Sequence, residues 1–208
     1  MMDQDPLFTD SMRALVRIAA AVAGAPLAFT RRVMVQAIGI APVAAVDEVL
    51  LQSYLFAGFP RALNATGVWR EVSGVPAPSD DPATTPQNGA ALRTKGEEVC
   101  RDVYGHKYDA LRRAVSQLHP ALDAWMVTDG YGKVLSRPGL TLAQRELCIV
   151  GACAASEQIP QLKSHLRGAL NCGATLEDLA QTLSALTDIV SREALSAARE
   201  ELNRIKEN

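Results

Sequence analysis

At 208 residues and 48% apolar, the chain is long enough to bury one large core or two small ones. A formal charge of −2 gives no basic field for a phosphate backbone or an anionic lipid surface, so neither nucleic acid nor membrane is an expected partner. No window holds the roughly eighteen uninterrupted apolar residues of a membrane span, and the opening MMDQDPLF lacks the basic run of a signal peptide; a cytoplasmic protein is expected.

Taken in order, the first helix is expected over Asp10 to Ala23, capped by Asp10 or Ser11, with Leu15, Ile18, Ala19 and Val22 on one face and Gly24 and Pro26 ending it. Leu27 to Ile38 and Val43 to Ala57 follow, then a break at Ala57-Gly58-Phe59-Pro60 and a fourth helix from Pro60 or Arg61 to Val72. The text from Ser73 to Gly89, SGVPAPSDDPATTPQNG, has no periodic apolar face and reads as a linker. It separates an N-terminal repeat, residues 1–72, from a C-terminal unit, residues 90–208. The first is thin for a core of its own, so one cooperative unit and a homo-oligomer are expected.

Beyond the linker, Ala90 to Tyr104 and Tyr108 to Leu118 read as helices, and His119-Pro120 opens a short one. Asp129 to Gly139, DGYGKVLSRPG, reads as a glycine-punctuated loop. Thr141 with Gln144 three residues on is a capping box that starts a central apolar helix; Gln161 to Leu170 is the next, and Thr175 with Asp178 caps another. Ser191 to Lys206 is a last amphipathic helix. No alternating strand pattern occurs, so the class is all-α. Sliding the chain by 133 positions sets Arg13 against Glu146, Arg32 against His165 and Val46 against Leu179. The fold is therefore expected to hold two degenerate three-helix repeats, of which only the second keeps an acid and an imidazole.

Glu146 and His165 are the pair that suits proton transfer, because consecutive antiparallel helices put them on adjoining walls. Their distances from the turn leave an axial gap of roughly 6 Å for the side chains or a water to close. The bland alternatives are a solvent-facing carboxylate and a boundary histidine. Ser164 points elsewhere on its helix and makes no triad. His106, His119 and His165 are scattered, and Cys100, Cys148, Cys153 and Cys172 carry no CxxC and no zinc spacing; no metal site is expected, and the thiols read as buried.

The run Gly130 to Leu179, with SRPGL, RE and HLRGAL in that order, resembles the carboxymuconolactone decarboxylase family, within the superfamily of alkylhydroperoxidase-D-like proteins. Val46 to Ala65 resembles the family's closing helices. The resemblance implies the alkylhydroperoxidase-D-like helical fold, with Glu146 and His165 as the catalytic positions. In the peroxidase branch a Cys-x-x-Cys precedes the histidine; here those positions are Gln158 and Gln161, so dithiol peroxidase activity is not expected. The decarboxylase branch implies a lyase without cofactor acting on a small carboxylated lactone, with Arg137 to hold a carboxylate, helped by Tyr131. The aromatic-Gly-x-Pro break falls only in the N-terminal half, at Phe56 to Pro60, so the pocket has to borrow Tyr54, Phe56 and Phe59 from that half or from another subunit. A non-catalytic binding or assembly relative is the alternative.

Overall fold

The structure is a computed structural model that describes residues 7–207; residues 1–6, on which the absence of a leader was read, and Asn208 lie outside the described residues. All regular structure among the described residues is helical. In order the helices are α1 (Asp10–Gly24), α2 (Leu27–Ala37), α3 (Val43–Ser73), α4 (Gly89–Tyr104), α5 (Tyr108–Leu118), α6 (Pro120–Trp125), α7 (Leu142–Ala155), α8 (Ile159–Asn171), α9 (Leu176–Ser184) and α10 (Arg192–Lys206). A π-helical stretch, Met126–Leu135, lies between α6 and α7. Packing groups residues 7–75 with 139–207 in one unit and places 76–138 in another, a different grouping from the division of the sequence at 73–89.

In the first unit the helix starts follow their capping chemistry. Thr141 and Gln144 form a reciprocal capping box, as do Thr175 and Asp178. α1 is capped one residue earlier than the expected Asp10 or Ser11, because the Thr9 side chain accepts from the Met12 N–H. The break expected after Ala57 is a kink: Gly58 has φ 77° and ψ 159°, a conformation open to glycine and not to residues with a Cβ, and Pro60 follows it.

The 133-residue offset holds in space. It carries α1 onto α7, α2 onto α8 and the start of α3 at Val43 onto the start of α9 at Leu176. It also carries the second half of α3 onto α10, which adds a fourth helix to each repeat. α1 and α7 pack through small residues: a Cβ on Gly151 would lie 3.1 Å from Val16 Cγ1 and 3.8 Å from Ala20 Cβ. Gly151 is the counterpart of Ile18, midway between those two residues. The two helices therefore meet at equivalent positions, the arrangement a pseudo-two-fold axis produces.

In the second unit the loop expected over Asp129 to Gly139 is instead helical as far as Leu135. The physical reason is close backbone contact. A Cβ on Gly132 would lie 2.1 Å from the Leu92 carbonyl oxygen, and one on Gly96 2.0 Å from that of Val127, so Gly132, which reads as loop punctuation, and Gly96, inside an expected helix, are where α4 presses on the π-helix. Arg112 joins α5 to α6 by donating to Asp123 and, at 2.6 Å, to the Tyr108 hydroxyl.

The glycines give a paired test of this packing. A Cβ at Gly24 would meet the Ala155 carbonyl oxygen at 2.3 Å, whereas Gly67, also helical, has nothing within 4 Å. Gly24→Ala is expected to destabilise the protein by about 1–3 kcal/mol, and Gly67→Ala to stabilise it by about 0.5–1 kcal/mol. Denaturant midpoints that move in the same direction would contradict this packing.

Candidate active site

Every residue of α7 from Arg145 to Ala154 is buried, so the two charged residues at its start cannot be solvated and need partners inside the protein. Successive residues on a helix point about 100° apart, and the two find partners on different helices. Arg145 faces α3: its Nη2 donates to Glu48 Oε2 at 2.8 Å and its Nη1 to Gln52 Oε1 at 3.2 Å, while Gln52 Nε2 donates back to the Arg145 carbonyl at 3.3 Å. Glu146 faces α8, where His165 Nδ1 lies 2.8 Å from Glu146 Oε2.

The contact between Glu146 and His165 is direct, not the gapped pair expected from the sequence. α8 starts at Ile159 rather than Gln161, with Pro160 in its first turn, which cuts the axial offset to about three residues, or ~4.5 Å. Glu146 is fully buried and His165 only 6% exposed. The contact orients the ring, with Nδ1 towards Oε2 and Nε2 on the opposite edge. The other carboxylate oxygen, Glu146 Oε1, is buried and accepts from none of the described residues, so it has lone-pair capacity for a further donor.

α3 supplies the apolar wall. The Phe56 ring meets the His165 imidazole edge-on, with centroids 5.8 Å apart and planes at 84°, so the aromatic residue expected to be borrowed from the N-terminal half comes from the same chain. Beyond it, Tyr54 and Phe59 stack at 4.6 Å across the Gly58 kink, and Phe59 is 61% exposed.

The other two residues singled out in the sequence lie in the second unit. Arg137 holds Asp81 in a bidentate pair, with Nη1 at 3.1 Å and Nη2 at 2.7 Å. Tyr131 is 4% exposed and packs edge-on against Tyr104 at 6.2 Å. The Arg145, Glu48 and Gln52 cluster was missed. Its signal is the RE dipeptide at the head of an apolar run too long to have a solvent face, together with Glu48 and Gln52 at i, i+4 on α3. Among the described residues no group of three or more His, Cys, Asp or Glu is placed to hold a metal ion. No helix among them is long and apolar enough to cross a membrane.

The profile of the carboxymuconolactone decarboxylase family matches residues 120–203, which span α6 to α10 and include both members of the buried pair. The chain belongs to the carboxymuconolactone decarboxylase family. It is 30% identical over 135 residues to peroxisomal protein 2 of Schizosaccharomyces pombe, covering 64% of this chain and 62% of that one. Over 96 residues it is 34% identical to the nitrosuccinic acid decarboxylase npaB of Metarhizium robertsii, covering 45% and 66%. It is also 32% identical over 90 residues to an uncharacterized 15.0 kDa protein of Paracoccus denitrificans, covering 42% and 67%. The chain thus spans just under two thirds of the length of the first two relatives.

Against the thiol chemistry of the peroxidase branch, this member of the family has Gln158 and Gln161 at the two cysteine positions. Its own Cys153, two turns beyond Glu146 on α7, is a poor replacement: burial, and then the Glu146 charge, push its thiol up to about 12. Cys148 is pushed up to about 12 by burial, against the opposing charge of Arg145.

The pair between Arg137 and Asp81 gives a pH test in the second unit. Hydrogen bonds from Arg137 and then from the Ala83 N–H lower the Asp81 carboxyl to about 2 from an ordinary 3.8. A carboxyl whose pKa is depressed in the folded state contributes stability above its unfolded value and loses it as pH falls through the folded one. Asp81→Asn is therefore expected to be less stable than the parent at pH 7, with the difference shrinking from about pH 4 towards pH 2. A difference independent of pH would contradict the pair.

Proposed function

We propose that the chain is a decarboxylase of a small carboxylated metabolite, with Glu146 and His165 as its acid–base pair. The observation that carries this reading is a fully buried carboxylate with one oxygen held by a histidine and the other without a partner. A buried acceptor with an unfilled lone pair calls for an explanation, and a bound substrate that donates to it is one. Family membership and a relative named as a nitrosuccinic acid decarboxylase support the reaction class.

In the proposed reaction His165 begins as an imidazolium. Nδ1–H is held by Glu146 Oε2, and Nε2–H faces the substrate. The bond between the substrate carbon and its carboxylate breaks and carbon dioxide leaves. The electron pair stays behind and delocalises into an adjacent unsaturated group, such as the carbonyl of a lactone or a nitro group. Nε2 then delivers its proton to that carbon, and the neutral imidazole regains one from water. Glu146 accepts from Nδ1–H and holds the ring in place throughout. Phe56 excludes water beside the imidazole, which strengthens the pair and protects the carbanion from solvent protons.

The test is bicarbonate release, with ultraviolet absorbance followed in parallel, from carboxymuconolactone and from nitrosuccinate. Wild type is expected to turn over at least one of them, and His165→Gln, folded by circular dichroism, to be slower by about 100-fold or more. Release by neither substrate, or undiminished release by the variant, would overturn the reading in favour of a non-catalytic binding relative.

A further inference from the structure

The second unit has a cavity of its own, about 450 Å³, in which Lys95, Lys133 and Arg137 share one wall system with Gln87, Asn88 and Leu92, and no carboxylate is among its lining residues. Its frame is set by close backbone packing. Gly96 and Gly132 let the backbones of α4 and the π-helix touch, and their sequence neighbours Lys95 and Lys133 are thereby carried on the two elements that form the groove. A π-helix longer than a single-turn bulge is uncommon, and π segments are frequent at functional sites. This one supplies Lys133, and the turn that follows it supplies Arg137.

The three cations are not equally committed. Arg137 is anchored by Asp81. Lys95 has an exposed partner in Glu98 at 3.5 Å, the weak kind of ion pair. Lys133 forms no ion pair or hydrogen bond among the described residues. Asp81 and Glu98 offset two of the three charges, which leaves the Lys133 ammonium without a counter-charge that a bound anion can supply. The volume suits a compact molecule, and the apolar floor that includes Leu92 suits a short carbon frame.

We propose that this groove binds a compact dianion, a small dicarboxylate or a phosphate, with Lys95 and Lys133 as its principal ligands and Arg137 completing the cationic wall. The proposal does not depend on the catalytic reading of Glu146 and His165.

Calorimetry of the full-length protein, in phosphate-free buffer at constant ionic strength, tests it with succinate and with inorganic phosphate as probes and acetate as the single-charge control. Saturable binding near one equivalent is expected for one or both dianions, at least tenfold tighter than for acetate. The Lys95→Ala/Lys133→Ala double variant, whose changes are on exposed side chains, is expected to bind at least tenfold more weakly, and His165→Gln to bind like wild type. A response to succinate alone identifies a carboxylate ligand and one to phosphate alone a phosphate ligand; either supports the groove. No saturable binding of either dianion, binding unchanged in the lysine variant, or binding lost only in His165→Gln would overturn it.

Discussion

The first unit depends on one constraint: a helix buried along nearly its whole length carries an arginine and a glutamate side by side. A surface helix could turn such residues to water, but α7 has no solvent face at Arg145 or Glu146. Removing either charge from water without a partner would cost several kcal/mol. The cost is met by two other helices, α3 through Glu48 and Gln52 and α8 through His165. Because the two side chains leave α7 in different directions, satisfying both fixes where α3 and α8 lie around it. The candidate chemistry is therefore part of the packing.

The degenerate repeat shows what happens where this constraint is absent. The counterparts of Glu146 and His165 are Arg13 and Arg32. The Arg13 side chain is 46% exposed, with Asp10 at 3.9 Å and the Phe8 ring below it, and Arg32 is exposed over Phe29. Two arginines facing each other in a dry cleft would repel, so the first copy turns its charges outward. Its contribution is made elsewhere in the repeat, through the aromatic residues of α3. One copy thus supplies the ionisable pair and the other part of its covering, a division that two identical copies could not make.

Much of this could be read from the sequence where the signal is local. Thr141 with Gln144 and Thr175 with Asp178 announce their helices because a capping box is short-range chemistry, and a shared offset of 133 exposes the repeat because both copies keep their helix lengths. Glu146 and His165 could be paired because one turn joins their helices. The cluster of Arg145, Glu48 and Gln52 does not follow from the same reasoning: Arg145 is more than ninety residues from the other two, and nothing local says which face of α3 meets α7. Gly132 misled because glycine has two uses, whereas Gly139, with φ 94°, does sit in a turn. Glycine breaks helices by its freedom, and it permits backbones to touch by its size. A single sequence does not show which use applies until the partner helix, here α4 with Gly96, is known to lie against it.

Phe56 illustrates how the two levels join. As a residue it is an ordinary aromatic side chain near a Gly-x-Pro break, and by itself suggests a surface or a core position equally well. Gly58 with its positive φ ends the regular course of α3 two residues later, so Phe56 belongs to the straight half, which Glu48 and Gln52 hold against Arg145. The ion pair with Arg145 thereby sets the aromatic ring beside the neighbouring pair, since Arg145 and Glu146 are consecutive on α7 and Phe56 is one turn beyond Gln52 on α3. The charge cluster thereby sets which side chain covers the imidazole, and a covered, water-poor surrounding strengthens the hydrogen bond between His165 and Glu146.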